Sequence, residues 1–240
     1  GAGGYILYRK TPGGTYARIA NIKHGNVTSY IDRTAKAGIS YTYTVRAYSG
    51  TSMSGWRNPG TILRLADPTV QSALNATGGT QIKWSRSAGA GGYIVYRRSK
   101  GGTWKRIAYI NGQNVLSYTD KGAKAGVTYD YTVRAFKGSL LSDWHNYKTI
   151  RRLNNPTLRS VTSSRYGINI RWNKSPYATG YIIYRKTGKG SWTRIAKINN
   201  ASATGFTDTT AAKGVKYTYT IRSYSGSYLS YWNSVRSAVR

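Results

Sequence analysis

The sequence predicts an all-β chain built of tandem seven-stranded β-sandwiches, and two observations carry this prediction. Short segments rich in Val, Ile, Thr, Tyr and Trp alternate with clusters of Gly, Asn, Asp and Ser, and no helical period occurs. The motif GGYILYRK around Tyr5 returns as GGYIVYRR around Tyr93 and as TGYIIYRK around Tyr181, so it recurs twice at one interval of 88 residues. A fixed period indicates one small domain copied in tandem, and function must then be repeated along the array or built from it.

The second copy is complete and shows the order of the strands. We predict strand A at 68–73, B at 81–85, C at 92–99, C′ at 103–111, E at 117–120, F at 128–137 and G at 143–153. Along strand F, apolar Tyr129, Tyr131, Val133 and Ala135 alternate with Thr128, Asp130, Thr132 and Arg134. The apolar set should face the core, because successive side chains of a strand point to opposite faces.

The repeat divides the chain into a partial first unit at 1–65, a second unit at 66–153 and a third unit at 154–240. Gly4 aligns with Gly92, so the first unit lacks strands A and B. We expect them upstream in a longer array, or donated by another chain. The linkers at 65–68 and 153–156 are short, which predicts an extended and semi-rigid rod.

Several motifs resemble the fibronectin type III family. They are Pro68 and Pro156 opening strand A, Trp84 and Trp172 on strand B, Gly-Tyr at Tyr5, Tyr93 and Tyr181 on strand C, and G-x-x-Y-x-Y-T-[VI]-R-[AS] at 38–47, 126–135 and 214–223. Gly126 followed by Tyr129 fits the tyrosine corner of sandwich domains, and Trp84 would cross the core to meet it. The chain looks most like the domains of secreted and surface-attached proteins of Gram-positive bacteria, which act as spacers, adhesion modules or accessory modules. The resemblance implies this fold and an extracellular or cell-surface location, whereas the Arg-Gly-Asp loop of the animal adhesion domain is absent.

Composition limits the chemistry and indicates the partners. The chain has no Cys, which excludes disulfides and thiolate nucleophiles. Thirty-seven Lys and Arg residues oppose six Asp and no Glu, giving a formal net charge of +31. The charge is spread over all three units, since nine, fourteen and fourteen basic residues face one, four and one acidic residue, respectively. A surface this positive attracts polyanions.

The polar residues do not form a catalytic pattern. His24 and His145 have no counterparts in the other units, and the recurring Asp32, Asp120 and Asp208 stand singly at the end of strand E. Such an Asp is expected to cap the following turn through backbone N–H groups. We therefore predict that the chain is not an enzyme and has no cofactor and no metal site.

Recurring basic and aromatic residues define a candidate ligand or packing face on strands C and F. Its members are Tyr8, Lys10, Arg46 and Tyr48; Tyr96, Arg98, Arg134 and Phe136; and Tyr184, Lys186, Arg222 and Tyr224. Further recurring basic residues are Arg9, Arg18, Arg97, Arg106, Arg185 and Arg194. The face could bind anionic polymers and stack on sugars or bases. Alternatively, its Arg side chains cover Tyr rings, and Ile6, Ile94 and Ile182, expected to be exposed there, favour contact with another domain or rod.

Two further aromatic positions recur. Trp56, Trp144 and Trp232 precede strand G, and Tyr16, Trp104 and Trp192 lie on strand C′. Packing in the core or between domains is the expected role of such residues, and carbohydrate stacking is the alternative.

These observations favour a non-catalytic extracellular structural or adhesive tandem-repeat segment of a bacterial surface protein or filament. One alternative is a cationic binding module for anionic polymers such as teichoic acid, acidic glycan or extracellular nucleic acid. A host-protein-binding adhesin is a further alternative. The expected partners are neighbouring repeats of the same protein, possible self-assembly included, an anionic cell-wall or extracellular polymer, or a host protein. Membrane insertion is not expected, because the sequence has no run of about 18 apolar residues.

Overall fold

The computed structural model describes residues 1–57, 59–232 and 234–240, and these residues contain strands and no helix. The first unit contains β1 Gly4–Lys10, β2 Ala17–Ile22, β3 Ser40–Ser49, β4 Ser52–Met53 and β5 Gly60–Leu63. The second contains β6 Val70–Ala76, β7 Gly79–Trp84, β8 Gly92–Ser99, β9 Lys105–Asn111, β10 Ser117–Asp120, β11 Thr128–Lys137, β12 Leu140–Leu141 and β13 Lys148–Arg151. The third contains β14 Leu158–Ser164, β15 Gly167–Trp172, β16 Gly180–Thr187, β17 Thr193–Ile198, β18 Gly205–Asp208, β19 Lys216–Ser225, β20 Tyr228–Leu229 and β21 Val235–Val239.

The second and third units are sandwiches of two antiparallel sheets. In the second unit β10, β7 and β6 form a three-stranded sheet, and β12, β11, β8 and β9 form the other, with β13 also paired to β11. The third unit repeats this arrangement. The predicted all-β tandem sandwich is therefore confirmed, whereas the domain boundaries at 66 and 154 stay a prediction.

The predicted strands C, E and F of the second unit coincide residue for residue with β8, β10 and β11. Strand G differs, because it was predicted from residue 143 and β13 begins at Lys148. The preceding residues leave the sheet and cross its outer face, where Thr132 Oγ1 donates a hydrogen bond to Asn146 O at 2.7 Å.

Each complete sandwich has one core between its two sheets. The inward residues of strand F are buried as predicted: Tyr129 is 7% exposed, and Tyr131, Val133 and Ala135 are 0% exposed. The backbone N–H of Lys124 donates to the Tyr129 hydroxyl at 3.2 Å, which is the expected tyrosine corner. Trp84 lies in the same core, but its nearest aromatic partner is Tyr93, with ring centroids 5.4 Å apart, rather than Tyr129.

The first unit has a five-stranded sheet whose inner side is open. Leu7, Tyr43 and Val45 are partly exposed there, although their counterparts in the second unit are fully buried. They line a groove of about 560 Å³. Residues 29–32, which correspond to strand E, do not form a strand, because the strand B with which they would pair is not in this chain. Both sources of strands A and B, upstream sequence or another chain, stay predictions.

Neighbouring units meet at a glycine that opens strand F. Gly38 of the first unit contacts Ala88 of the second, and Gly126 of the second lies against Tyr177 of the third. Gly126 has φ of +82°, and a Cβ added there would lie 2.6 Å from the Tyr177 ring. This position therefore requires glycine both for its backbone conformation and for the contact.

We predict that Gly126→Ala loosens the joint between the second and third units. The added methyl group must displace the Tyr177 ring, and small-angle X-ray scattering should then show a broader distribution of interatomic distances. Gly214→Ala is the matched control, because Gly214 has a similar φ of +74° but no atom within 4 Å of the added Cβ. Equal broadening in both variants would contradict the role of the Gly126 contact.

Candidate ligand-binding face

The outer face of each five-stranded sheet carries an aromatic–cation ladder, the name we use for five side chains joined by cation–π and ring–ring contacts. In the second unit these are Trp104, Arg98, Trp144, Arg134 and Tyr96. The guanidinium of Arg98 lies 4.4 Å from the Trp104 ring centroid, and that of Arg134 lies 4.9 Å from the Trp144 centroid. Trp104 stacks on Trp144 at 6.1 Å, and Tyr96 meets Trp144 edge to face at 4.7 Å. Each cation is thus in contact with an aromatic face, an arrangement that is favourable for both groups.

The ladder recurs in the other units with nearly the same geometry. In the first unit, Lys10 lies 4.9 Å from Tyr16, Arg46 lies 5.0 Å from Trp56, and Trp56 lies 5.7 Å from Tyr16 and 4.8 Å from Tyr8. In the third, Lys186 lies 5.1 Å from Trp192, Arg222 lies 4.7 Å from Trp232, and Trp232 lies 6.2 Å from Trp192 and 4.7 Å from Tyr184. The face is therefore a repeated structural element.

In each unit, the segment that precedes strand G and crosses the outer face of the sheet is hydrogen-bonded to strand F through a serine. Ser142 Oγ accepts a hydrogen bond from the Ala135 N–H at 3.0 Å, and Ser142 O accepts one from Arg134 Nε at 2.6 Å. Ser54 and Ser230 make the same pair of contacts. These serine contacts were not predicted, although the sequence carries a signal for them in the motif Ser-x-Trp at 54–56, 142–144 and 230–232.

The structure brings together nine of the predicted face residues: Tyr8, Lys10, Arg46, Tyr96, Arg98, Arg134, Tyr184, Lys186 and Arg222. Tyr48, Phe136 and Tyr224 lie apart from the ladder. Each covers the first glycine of strand C, and a Cβ at Gly92 would lie 2.6 Å from the Phe136 ring. Their role in binding a ligand stays a prediction.

Two expectations about this face are wrong. Ile94 and Ile182 are not exposed, since they are only 5% and 7% accessible and lie opposite Arg134 and Arg222 in register. Longer neighbouring side chains therefore cover them. For Trp56, Trp144 and Trp232, packing in the core or between domains was expected, and the core part of that expectation is wrong. The segment that crosses the sheet places them on its outer face, where they are 55%, 47% and 36% exposed.

The recurring Arg9, Arg97 and Arg185 point to the opposite side and belong to a buried cluster. In the second unit, Arg97 Nη1 and the Tyr131 hydroxyl both donate to Asp120 Oδ2, at 2.7 and 2.8 Å. The Gly122 N–H donates to Asp120 Oδ1 at 2.9 Å, which confirms the predicted turn cap. Equivalent contacts occur at Arg9, Asp32 and Tyr43 and at Arg185, Asp208 and Tyr219.

In the third unit the cluster shifts the pKa values of Asp208 and Tyr219. Desolvation by burial raises the pKa of Asp208, but hydrogen bonds from Thr210, Tyr219 and Arg185 outweigh it and hold that pKa below its ordinary 3.8. Burial, together with the hydrogen bond to Asp208, raises the pKa of Tyr219. The Asp208 carboxylate is thus committed to internal contacts and stays ionised at neutral pH.

Arg18, Arg106 and Arg194 remain exposed on the outer strand of the five-stranded sheet. Each lies opposite a ladder tyrosine in register, as Arg106 does opposite Tyr96. The four ion pairs among the described residues do not include any of these three arginines. They form a repeated cationic position beside each ladder.

In the described part of the chain, no three His, Cys, Asp or Glu residues are grouped so that they could hold a metal ion. Nor does that part contain a helix of the length and apolar character needed to cross a membrane.

We predict that acid weakens the third unit through Asp208. The folded-state pKa lies below the ordinary 3.8, so the unfolded chain binds the proton first as pH falls. The contribution of Asp208 to the free energy of unfolding should be complete above about pH 5 and should be lost progressively as pH falls through 4 and below. Calorimetric melting of the full chain from pH 7 to pH 2.5 measures this loss.

Asp208→Asn should lower the stability of the third unit at pH 7 by about 3 kcal/mol, because it leaves Arg185 and Tyr219 without their carboxylate partner. It should also flatten the acid dependence. Asp143→Asn is the matched control, since Asp143 is exposed and its carboxylate makes none of the cluster contacts. An unchanged acid dependence in Asp208→Asn would contradict the prediction.

The fold and face define a class, namely tandem immunoglobulin-like β-sandwich domains with a repeated aromatic–cation face. No protein-family model matches the chain. Exoglucanase B of Cellulomonas fimi is 27% identical over an alignment of 252 positions, which covers 91% of this chain and 21% of that protein. Amylopullulanase of Thermoanaerobacterium saccharolyticum is 33% identical over 114 residues, covering 47% of this chain and 8% of that protein. The chain thus spans about a fifth or less of the length of these two relatives.

Among solved structures, an Fn3-like protein from Clostridium thermocellum is 32% identical, and the match covers 35% of this chain and 90% of that one with a TM-score of 0.32. The FN1–FN3 domains of chicken CNTN1 are 17% identical over 99% of this chain and 89% of that one, with a TM-score of 0.37. The strand order and the identity to the bacterial Fn3-like protein agree with the resemblance seen in the sequence. The chain belongs to the fibronectin type III-like domain proteins.

Proposed function

We propose that this chain is a non-catalytic extracellular segment of a bacterial surface protein or filament, with a structural or adhesive role. The observation that supports this most is the same ladder on the outer face of all three units. The recurring Asp residues, by contrast, are held in buried contacts with Arg and Tyr. Repeated faces on short-linked domains suit many weak contacts, because linkage raises avidity without any single strong site.

The relatives support a segment that works within a larger protein. Exoglucanase B and amylopullulanase carry the names of enzymes, yet the matched parts make up 21% and 8% of them. In this proposal the chain supplies reach and attachment to the protein that contains it.

A structural or adhesive segment should bind surfaces or assemble with little dependence on salt. We predict that the purified chain sediments with Gram-positive cell walls, or forms ordered assemblies in negative-stain images, at both about 50 and 200 mM NaCl. Dispersed single rods, together with the absence of wall binding at either salt concentration, would contradict this role.

A second candidate, a cationic module for anionic polymers, is favoured by Arg18, Arg106 and Arg194. These arginines are exposed, recur at the interval of the repeat, and lie outside the described ion pairs. Electrostatic binding to a polyanion releases counterions, so the affinity should fall by orders of magnitude between about 50 and 200 mM salt.

We predict that replacing all three arginines by Gln weakens binding to double-stranded DNA, used here as a polyanion probe. The slope of log affinity against log salt should become shallower by about 0.9 for each lost contact. The matched control replaces Lys23, Lys121 and Lys189 by Gln, which removes the same charge from exposed positions that do not recur in all three units. If both triple variants lose the same slope, net charge rather than the recurring arginines governs binding.

A further inference from the structure

A cleft of about 590 Å³ lies between the second and third units. One wall comes from the second unit and includes Leu74, Gln81 and Thr149. The other wall comes from the third unit and includes Tyr231 and the ladder residue Trp232. A concave space of this volume between two domains is a common location for a ligand site.

Asn75 holds the two walls together. It is 4% exposed, and its Nδ2 donates to Arg151 O in its own unit at 3.0 Å and to Leu229 O in the third unit at 2.9 Å. Its Oδ1 accepts from the Leu153 N–H at 3.2 Å. Tyr228 of the third unit also packs against the core of the second. The cleft is therefore formed before any ligand arrives, which reduces the entropic cost of binding.

The wall from the third unit presents aromatic rings and one cationic side chain to the cleft. Tyr231 and Trp232 are 40% and 36% exposed, and the Arg222 guanidinium lies 4.7 Å from the Trp232 ring centroid. Among the described residues that line the cleft, none is Asp or Glu. Flat aromatic faces match the apolar C–H faces of sugar rings, and a guanidinium pairs with carboxylate or sulfate groups.

The charge density of the walls separates two kinds of polymer. A nucleic acid carries a phosphate on every residue, and proteins neutralise several phosphates at once with Lys and Arg. Of the lining residues that the structure describes, Arg222 is the one that is basic. A polymer of stacked rings with sparser acidic groups therefore fits better than a nucleic acid.

Tyr231 distinguishes this cleft from the rest of the array. The residues at the same repeat position are Gly55 and Asp143. An aromatic ring directly before the recurring Trp therefore occurs only in the third unit. Asp143 would place a carboxylate where Tyr231 places a ring.

We propose that this cleft is a binding site for an acidic polysaccharide, with sugar rings on Tyr231 and Trp232 and an acidic group at Arg222. The proposal rests on the second candidate function above and names the polymer class and the location. Arg222 and Trp232 belong both to the ladder of the third unit and to the lining of the cleft. A bound polysaccharide therefore extends from the cleft onto the ladder.

The test is a titration of the ¹⁵N-labelled full chain with an acidic hexamer in which every second sugar carries a carboxylate (a hyaluronan hexasaccharide), a neutral cellohexaose and a single-stranded oligonucleotide. We expect the acidic hexamer to shift the amide signals of residues 74–81, 149–150 and 227–232, and to bind more tightly than the other two probes. Preferential binding of the neutral sugar or of the oligonucleotide in the cleft would overturn the assignment of an acidic polysaccharide.

Tyr231→Asp and Trp232→Ala should each weaken binding of the acidic hexamer at least about tenfold, the loss of one central aromatic contact. Tyr231→Asp installs the residue that the second unit already carries, so the fold is expected to tolerate it, and its melting temperature checks this. Trp144→Ala is the matched control, since it removes the same ladder ring from the second unit, away from the cleft.

The outcomes distinguish a failure of the cleft site from a failure of the second candidate function. Unchanged binding in Tyr231→Asp, or an equal loss in Trp144→Ala, overturns the cleft as the site even where the intact chain still binds acidic polymers through its other faces. If the intact chain does not bind any acidic polymer at 50 mM salt, both the cleft site and the second candidate function fail.

Discussion

A buried carboxylate joins the two sheets of each complete sandwich, and much of the surface arrangement depends on it. Asp120 and Asp208 end strand E of the three-stranded sheet, yet they accept hydrogen bonds from an Arg on strand C and a Tyr on strand F of the other sheet. A buried charge is tolerated only when it is paired and fully hydrogen-bonded. This requirement fixes the strands C and F relative to strand E, and the opposite faces of the same two strands carry the ladder.

The fold could be read from the sequence because it rests on local patterns. Alternation along 128–137 identified the buried face of strand F, and the strand C motif marked the repeat. The missing strands of the first unit followed from alignment of Gly4 with Gly92. That absence also explains why residues 29–32 remain outside any strand, since a sheet strand needs a hydrogen-bonded partner.

The face was harder to predict, because its geometry depends on backbone that leaves the sheet. Nine of the twelve predicted residues belong to the ladder, but alternation alone could not show that residues 142–147 cross over strand F and bring Trp144 onto Arg134. The same crossing explains why Trp56, Trp144 and Trp232 lie outside the core, which was one of the two packing roles expected for them. The expected exposure of Ile94 is wrong because alternation with period two shows only which side of the sheet a residue faces. Burial on that side depends on the length of the neighbouring side chains.

The joint between units has a consequence for how such arrays can change by recombination. Its parts lie in two different copies: Gly126 and Asn75 in one, Tyr177 and Leu229 in the next. The third unit has Gly214 at the first position but Ser163 in place of Asn75, and a serine hydroxyl cannot make the several contacts of an amide. A duplication event that copies the third unit alone would thus create a joint without this hydrogen bond, whereas one that copies the second and third units together would keep it within each copied pair. The segment that carries this joint is therefore longer than the sandwich that folds, because Asn75 lies in the first strand of one unit and Leu229 lies near the end of the next.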